Sequence, residues 1–274
     1  YMRPQYYPQA GETIDDAYER ETAHVRKKVG ICDVTSLGKI EIVGPDAGEF
    51  LDRVYINMFS TLKVGKARYG VMLREDGIVY DDGTTSRFAE DRFFMTTTTA
   101  KAGPVMAYLE RCLEIDWPEL KVRVSSVSER WGGMAVAGPD ARATLIAAFP
   151  SVDFSNEAFP FMGVVHAEHN GAKLIFLRIS FSGEMAFEVY AESEHATDIW
   201  QTIIDAGQVH DIVPYGLETL GALRIEKGHV TGAELDGRAT LGDVHMDGMA
   251  SKKKWFVGKN LKDREGLVHP DRPQ

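Results

Sequence analysis

The chain carries one piece of punctuation twice. Lys39-Ile40-Glu41-Ile42-Val43 alternates polar and apolar residues and runs into Gly44-Pro45-Asp46-Ala47. Gly133-Met134-Ala135-Val136-Ala137 runs into Gly138-Pro139-Asp140-Ala141. Each time the Gly-Pro pair stops a strand, and the proline stands near the first turn of a helix, ending about Tyr55 in one copy and Phe149 in the other. A strand that turns straight into a helix, written twice, predicts an internal pseudo-repeat of two α+β modules with the same start. Between the copies, strand patterns fall near 66–73, 77–87, 92–99 and 120–128, with a helix at 102–113. After the second copy come strands at 173–180 and 186–190, then helices at 193–206 and near 217–227. Ahead of the first lie an extended arm (1–11) and a helix from Thr13, with a capping box to Asp16, to about Lys28. Strand-rich order with covering helices reads as α+β.

Composition narrows the function classes. A chain of 274 residues that is 44% hydrophobic can bury a sizeable core, as one large domain or two ordinary ones. A formal net charge of -10 argues against nucleic acid as a partner. The one basic run, Lys252-Lys253-Lys254, reads as a solvated turn ahead of an anion site. Cys32 and Cys112 fit no metal spacing and suggest a reducing compartment, so the expected location is cytoplasmic. No run approaches the ~18 apolar residues of a membrane span. A dinucleotide fingerprint, a phosphate-binding loop, a nucleophile elbow and a zinc-protease motif are all absent. His166 and His169 read as part of a surface turn. The opening Tyr1-Met2 and the closing Pro270-Asp271-Arg272-Pro273 suggest a piece of a longer polypeptide.

What chemistry remains lies in carboxylates. Asp76-Gly77 is a tight-turn signal, and the β-prone run after it ends in Asp81-Asp82. Neighbours on a strand face opposite ways, so one of the two stands where a carboxylate is costly to desolvate. Glu188 lies between Phe187 and Val189 in another apolar strand. Two accounts are equal on the residues alone. One is internal salt bridges, for instance to Arg74, Arg87 or Arg178. The other is a flat heterocycle whose ring N–H and amine donate two parallel hydrogen bonds to a carboxylate.

Longer runs carry a resemblance. Asp33-Val34-Thr35-Ser36, Gly65 to Gly70, Gly77 to Asp82, Phe181 to Glu188, and Leu223 to Gly228 occur in the order seen in the aminomethyltransferase (glycine-cleavage T-protein) family. Other runs look closer to the folate domain of heterotetrameric sarcosine oxidase α subunits. These are Arg3 to Pro8, Val54 to Asn57, Tyr69 to Gly77, Asn156 to Gly163 and Ala250 to Lys254. The resemblance implies a T-protein-like folate-binding fold. It would have a ferredoxin-like module at 46–126 and a larger mixed antiparallel α+β module from 1–45 and 127–250. Residues 251–274 would begin the connection to a final β-barrel that is absent here.

The resemblance also implies roles. Asp82 matches the catalytic aspartate, taken as the inward member of its pair with Asp81 as a structural neighbour. Glu188 matches the glutamate that grips the pterin. Tyr69 matches a residue packed along the folate, Phe94, Thr96 and Thr98 a strand lining the pocket, and Leu37 a loop touching the pterin. Phe181 stands where T-proteins have a tyrosine, and Leu220 where they have an arginine; both favour the oxidase branch. The implied substrate is tetrahydrofolate, accepting the one-carbon unit from oxidative demethylation of sarcosine as 5,10-methylene-tetrahydrofolate. FAD/FMN and NAD, like the remaining subunits, belong to other parts of that complex, and no metal is expected. The alternatives are a glycine-cleavage-type aminomethyltransferase, or a folate-binding scaffold without catalysis.

Overall fold

A computed structural model of the protein describes residues 2–267; Tyr1 and the closing prolines of 270–273 lie outside the described residues. In chain order the helices are α1 (Ile14–Lys27), α2 (Ala47–Val54), α3 (Ala102–Arg111), α4 (Ala141–Ala148), α5 (Ala196–Gly207) and α6 (Leu217–Lys227). The strands are β1 (Gly30–Asp33), β2 (Gly38–Val43), β3 (Lys66–Leu73), β4 (Val79–Ala89), β5 (Arg92–Thr97), β6 (Arg123–Ser126), β7 (Trp131–Ala137), β8 (Val164–His169), β9 (Ala172–Leu177), β10 (Ala186–Glu192) and β11 (Val213–Pro214). They form two compact units. Neither sheet closes into a barrel among the described residues.

The first unit combines the chain up to Ser36 with Ser128–His229. Its sheet runs β11-β1-β7-β10-β9-β8. One face buries Phe149, Phe154, Phe159, Phe176 and Phe187 beside residues of α4 and α5. Val25 of α1 and Leu223 of α6 lie in the opposite core, with Cys32, Ala186 and Tyr215. Helix α1 starts at the capping box, with Thr13 and Asp16 each accepting the other's backbone N–H. Leu217 and Glu218, at the start of α6, donate their N–H groups to the carbonyls of Pro4 and Gln5, which ties down the N-terminal arm.

The second unit combines Leu37–Val127 with the chain from Val230. Its sheet runs β3-β4-β5-β2-β6. On one face, Ile40, Ile42, Phe93 and Met95 pack with Phe50 and Leu51 of α2 and Val105 and Leu109 of α3. On the other, Val71, Leu73 and Val79 pack with Leu235, Leu241 and Phe256 from the irregular segment after Val230.

The repeat extends well beyond its signature. The order β2-α2-β3-β4-β5-α3-β6 matches β7-α4-β8-β9-β10-α5-β11, and the sheets match too once β1 is inserted between β7 and β11. Within the second unit, β2, β4, β5 and β6 with their helices make the ferredoxin-like core, and β3 is an added edge strand. Gly44 and Gly138 hold the matching turns at φ of 148° and 129°. A Cβ at either would stand 2.0 Å from the Lys121 carbonyl or 2.3 Å from that of Lys28, so no other residue fits.

Three sequence expectations are corrected. Strand β2, assigned with the larger module, pairs with β5 and β6 in the second unit, as its apolar face (Ile40, Ile42) completes that core. The segment from Val230, also given to the larger module, covers the second unit's sheet instead. His166 and His169 lie on β8, paired with Ile175 and Ala172 of β9. The turn is Asn170-Gly171, both at positive φ, and that pair was the hairpin signal. Of the lysine run, Lys252 and Lys253 are exposed, while the Lys254 ammonium donates to the carbonyls of Asp52 and Tyr55 at the end of α2. No helix among the described residues is long and apolar enough to cross a membrane.

Candidate functional site

A bulge in β4 decides where its two carboxylates go. Val79 stands opposite Leu73 and Asp81 opposite Met72, so Tyr80 is an extra residue. Tyr80 and Asp81 therefore both turn toward the helix-covered face. Asp82, opposite Val71, turns to the other. The expectation that the two carboxylates face opposite ways holds. The more deeply buried one, however, is Asp81, at 1% exposure, whereas Asp82 is half-buried.

Each carboxylate has a different partner. Asp81 accepts the Thr98 hydroxyl (2.7 Å) and the Thr98 N–H (3.3 Å). Burial pushes its carboxyl up to about 6, against the Thr98 hydrogen bond and with the charge of Asp82. Asp82 accepts a hydrogen bond from the Tyr69 hydroxyl at 2.8 Å, and that hydroxyl lies 3.7 Å from the Met246 sulfur. Burial raises the Asp82 carboxyl too, and the Tyr69 bond works against the rise. Arg74 pairs with Asp76, Arg87 with Glu90, and Arg178 donates to the Phe159 carbonyl. The arginines offered as salt-bridge partners for the strand carboxylates are thus engaged elsewhere.

Cross-strand register lines up Tyr69 of β3, Thr84 of β4, Thr96 of β5 and Lys39 of β2 on the Asp82 face. The Thr96 hydroxyl bonds both the N–H and the carbonyl of Thr84 (3.2 and 3.1 Å). That closeness requires Gly83, because a Cβ there would stand 2.0 Å from the Thr96 carbonyl oxygen. Phe94, on the same face, stacks on Phe88 with ring centroids 5.3 Å apart. Sequence reasoning missed Lys39, which is fully buried. Simple alternation puts it on the polar face of β2, and only the tertiary structure reveals that this face is covered.

Glu188 belongs to the first unit. It sits on β10 opposite Ala135 of β7 and Leu177 of β9. The buried Tyr190 hydroxyl, two residues along the same face, donates to its carboxylate at 2.6 Å. The charge of Glu188 also reaches Tyr215, whose phenol burial makes harder to ionise. Leu220 packs beside this cluster. Phe181 lies against His229 with centroids 5.6 Å apart, and its carbonyl accepts from His229 Nδ1 at 3.1 Å. Leu37 is half-buried in the turn before β2.

The structure brings Asp82, Tyr69, Phe94 and Thr96 onto one face of one sheet. It places Thr98 with Asp81 instead, and Glu188 and Phe181 in the other unit. Two surface cavities of the second unit, about 510 and 410 Å³, share Glu75 and Tyr108 and contain none of these residues. No cluster of metal-ligating side chains occurs among the described residues.

The GCVT N-terminal domain model matches residues 1–254. The chain belongs to this family. Over its full length it is 50% identical to "Sarcosine oxidase subunit alpha" of Rhizobium meliloti (strain 1021). Over 99% of its length it is 47% identical to the protein of that name from Corynebacterium sp. (strain U-96). It spans 28% of the length of each. Among solved structures, the glycine cleavage system aminomethyltransferase T from Bartonella henselae superposes with a TM-score of 0.80 over 94% of this chain and 70% of that one, at 24% identity. The GCVT-family fold is therefore shared, with the two-sheet α+β architecture described above.

Proposed function

We propose that this GCVT-family chain is the tetrahydrofolate-binding part of a sarcosine oxidase α subunit. It would take the one-carbon unit released by oxidative demethylation of sarcosine and deliver it as 5,10-methylene-tetrahydrofolate. The supporting observation is Asp82: a half-buried carboxylate, raised by burial and oriented by one phenol, on the helix-free face of its sheet. The 50% identity to a sarcosine oxidase α subunit supports the choice of branch.

In this reading Glu188, held by Tyr190, accepts the pterin's ring N–H and amino group as a pair of parallel hydrogen bonds. The folate N5 amine adds to formaldehyde, the resulting hydroxyl takes a proton from solvent and leaves as water, and N10 closes the ring on the N5 iminium. Asp82 accepts the proton that N10 loses, a task suited to a carboxylate raised toward the working pH. Holding amine and carbonyl carbon together supplies much of the acceleration. Phe94 and Tyr69 supply apolar and aromatic surface along the folate, and Leu37 and Phe181 border the pterin. The remainder of the α subunit and the other subunits are the expected partners, carrying FAD/FMN and NAD. The test is calorimetric titration with tetrahydrofolate. We expect saturable binding, weakened at least tenfold by Glu188→Gln; no binding, or unchanged affinity in the variant, would overturn the reading.

A further inference from the structure

We propose that Asp81 and Thr98 form a positioning pair that sets where the Asp82 carboxylate stands, a role distinct from ligand contact. The inference rests on the reading of Asp82 given above. Three consecutive residues of β4 divide their work. Tyr80 turns to α3, with Lys101 Nζ 4.9 Å from its ring centroid and the Tyr108 ring at 5.4 Å. Asp81 turns the same way and accepts both the hydroxyl and the N–H of Thr98, the residue that leads into the helical turn before α3. Asp82 alone turns to the opposite face.

The bulge makes this necessary. An extra residue in a strand leaves the ladder locally unpaired and free to bend. Here the register slips between Met72 and Leu73, next to Asp81 and one residue before Asp82, which pairs with Val71. The register gives Tyr80 no partner on β3. What fixes this stretch from the helix side is the Tyr80 packing and the Asp81–Thr98 pair. Both carboxylate oxygens of Asp81 point at one residue, so the pair defines an orientation as well as a distance. On the far side the Asp82 carboxylate meets the Tyr69 hydroxyl and its own backbone N–H. Its carboxylate therefore depends on the backbone beneath it for its placement. A displacement of the order of 1 Å at a reacting group costs about a hundredfold in rate. Loosening the pair should thus reduce turnover and leave ligand affinity largely intact.

The test uses Thr98→Val, which keeps the side-chain shape and removes the hydroxyl, and Thr98→Ser, which restores it. Tetrahydrofolate affinity and the rate of methylene-tetrahydrofolate formation are measured for both, with folding followed by thermal unfolding. The proposal expects Thr98→Val to bind within twofold of wild type and turn over at least tenfold more slowly, and Thr98→Ser to recover to within threefold. Wild-type turnover in Thr98→Val overturns it, as does an equal loss of affinity and rate, or a Thr98→Ser variant no faster than Thr98→Val. Should Thr98→Val fail to fold, Thr98→Ser and Asp81→Asn decide between the same outcomes: Asp81→Asn turning over at the wild-type rate overturns the pair. Asp82→Ala is run alongside. If it turns over normally, the reading of Asp82 itself has failed, which is a different result from failure of the positioning pair.

Discussion

Replacing Tyr69 by Phe should move the proton affinity of Asp82 upward. The Tyr69 hydroxyl donates to Asp82 Oδ2 at 2.8 Å, and this bond is the larger of those that oppose the rise caused by burial. A hydrogen bond to an ionised carboxylate is worth about 1.5–3 kcal/mol. At about 1.36 kcal/mol per pKa unit, its loss should raise the Asp82 carboxyl by about one to two units beyond its already elevated value. The sign is fixed because the phenol donates to the charged form, so removing it favours the neutral acid. The assay is the pH profile of methylene-tetrahydrofolate formation under saturating folate. The acid limb should shift to higher pH by about one to two units, while the high-pH plateau stays within about twofold, since a deprotonated Asp82 still accepts a proton. An unmoved acid limb would refute the assignment of that limb to Asp82, and a downward shift would refute the direction of the hydrogen bond.

Two further outcomes follow from the same strand. Asp81 holds its proton up to about 6 in the folded protein, above the ordinary 3.8. Between those values the unfolded chain has released a proton that the folded chain keeps, so stability falls as pH rises through the window, by about 3 kcal/mol at about 1.36 kcal/mol per unit. Urea unfolding across pH 4 to 7 should show that slope in wild type and lack it in Asp81→Asn; parallel curves would contradict it. Gly83→Ala puts a methyl group 2.0 Å from the Thr96 carbonyl oxygen, where only backbone movement makes room. It should cost about 1–3 kcal/mol, read as a lower urea midpoint, and an unchanged midpoint would mean that β4 and β5 separate freely.

Much of this fold was legible because its signals are local. The capping box at Thr13, the turn at Asp76-Gly77 and the two Gly-Pro-Asp-Ala breaks depend on backbone conformation within a few residues, and the structure places each as read. What was not legible depends on pairing between distant strands. β1 is four residues long and gains its place only by joining β7 and β11. β2 reads as the start of one module until its ladder with β5 shows which core its isoleucines complete. In the site, the alternation rule separated Asp81 from Asp82 but could not tell which face was the drier. A single bulged residue, Tyr80, sets that parity, and a bulge leaves no mark in the apolar pattern. The same limit hid Lys39, polar by pattern and buried by tertiary contact, and the bond from the Thr98 hydroxyl to Asp81.

The claim at the centre is that Asp82 acts on the one-carbon transfer and is not merely a buried acid of the sheet. Its direct measurement is the rate of methylene-tetrahydrofolate formation by Asp82→Ala, with tetrahydrofolate affinity determined on the same preparation. A general base typically contributes about 10²–10⁴ in rate. The account predicts a variant that binds folate within about threefold of wild type and turns over at least about a hundredfold more slowly. Folate bound and converted at the wild-type rate would contradict it.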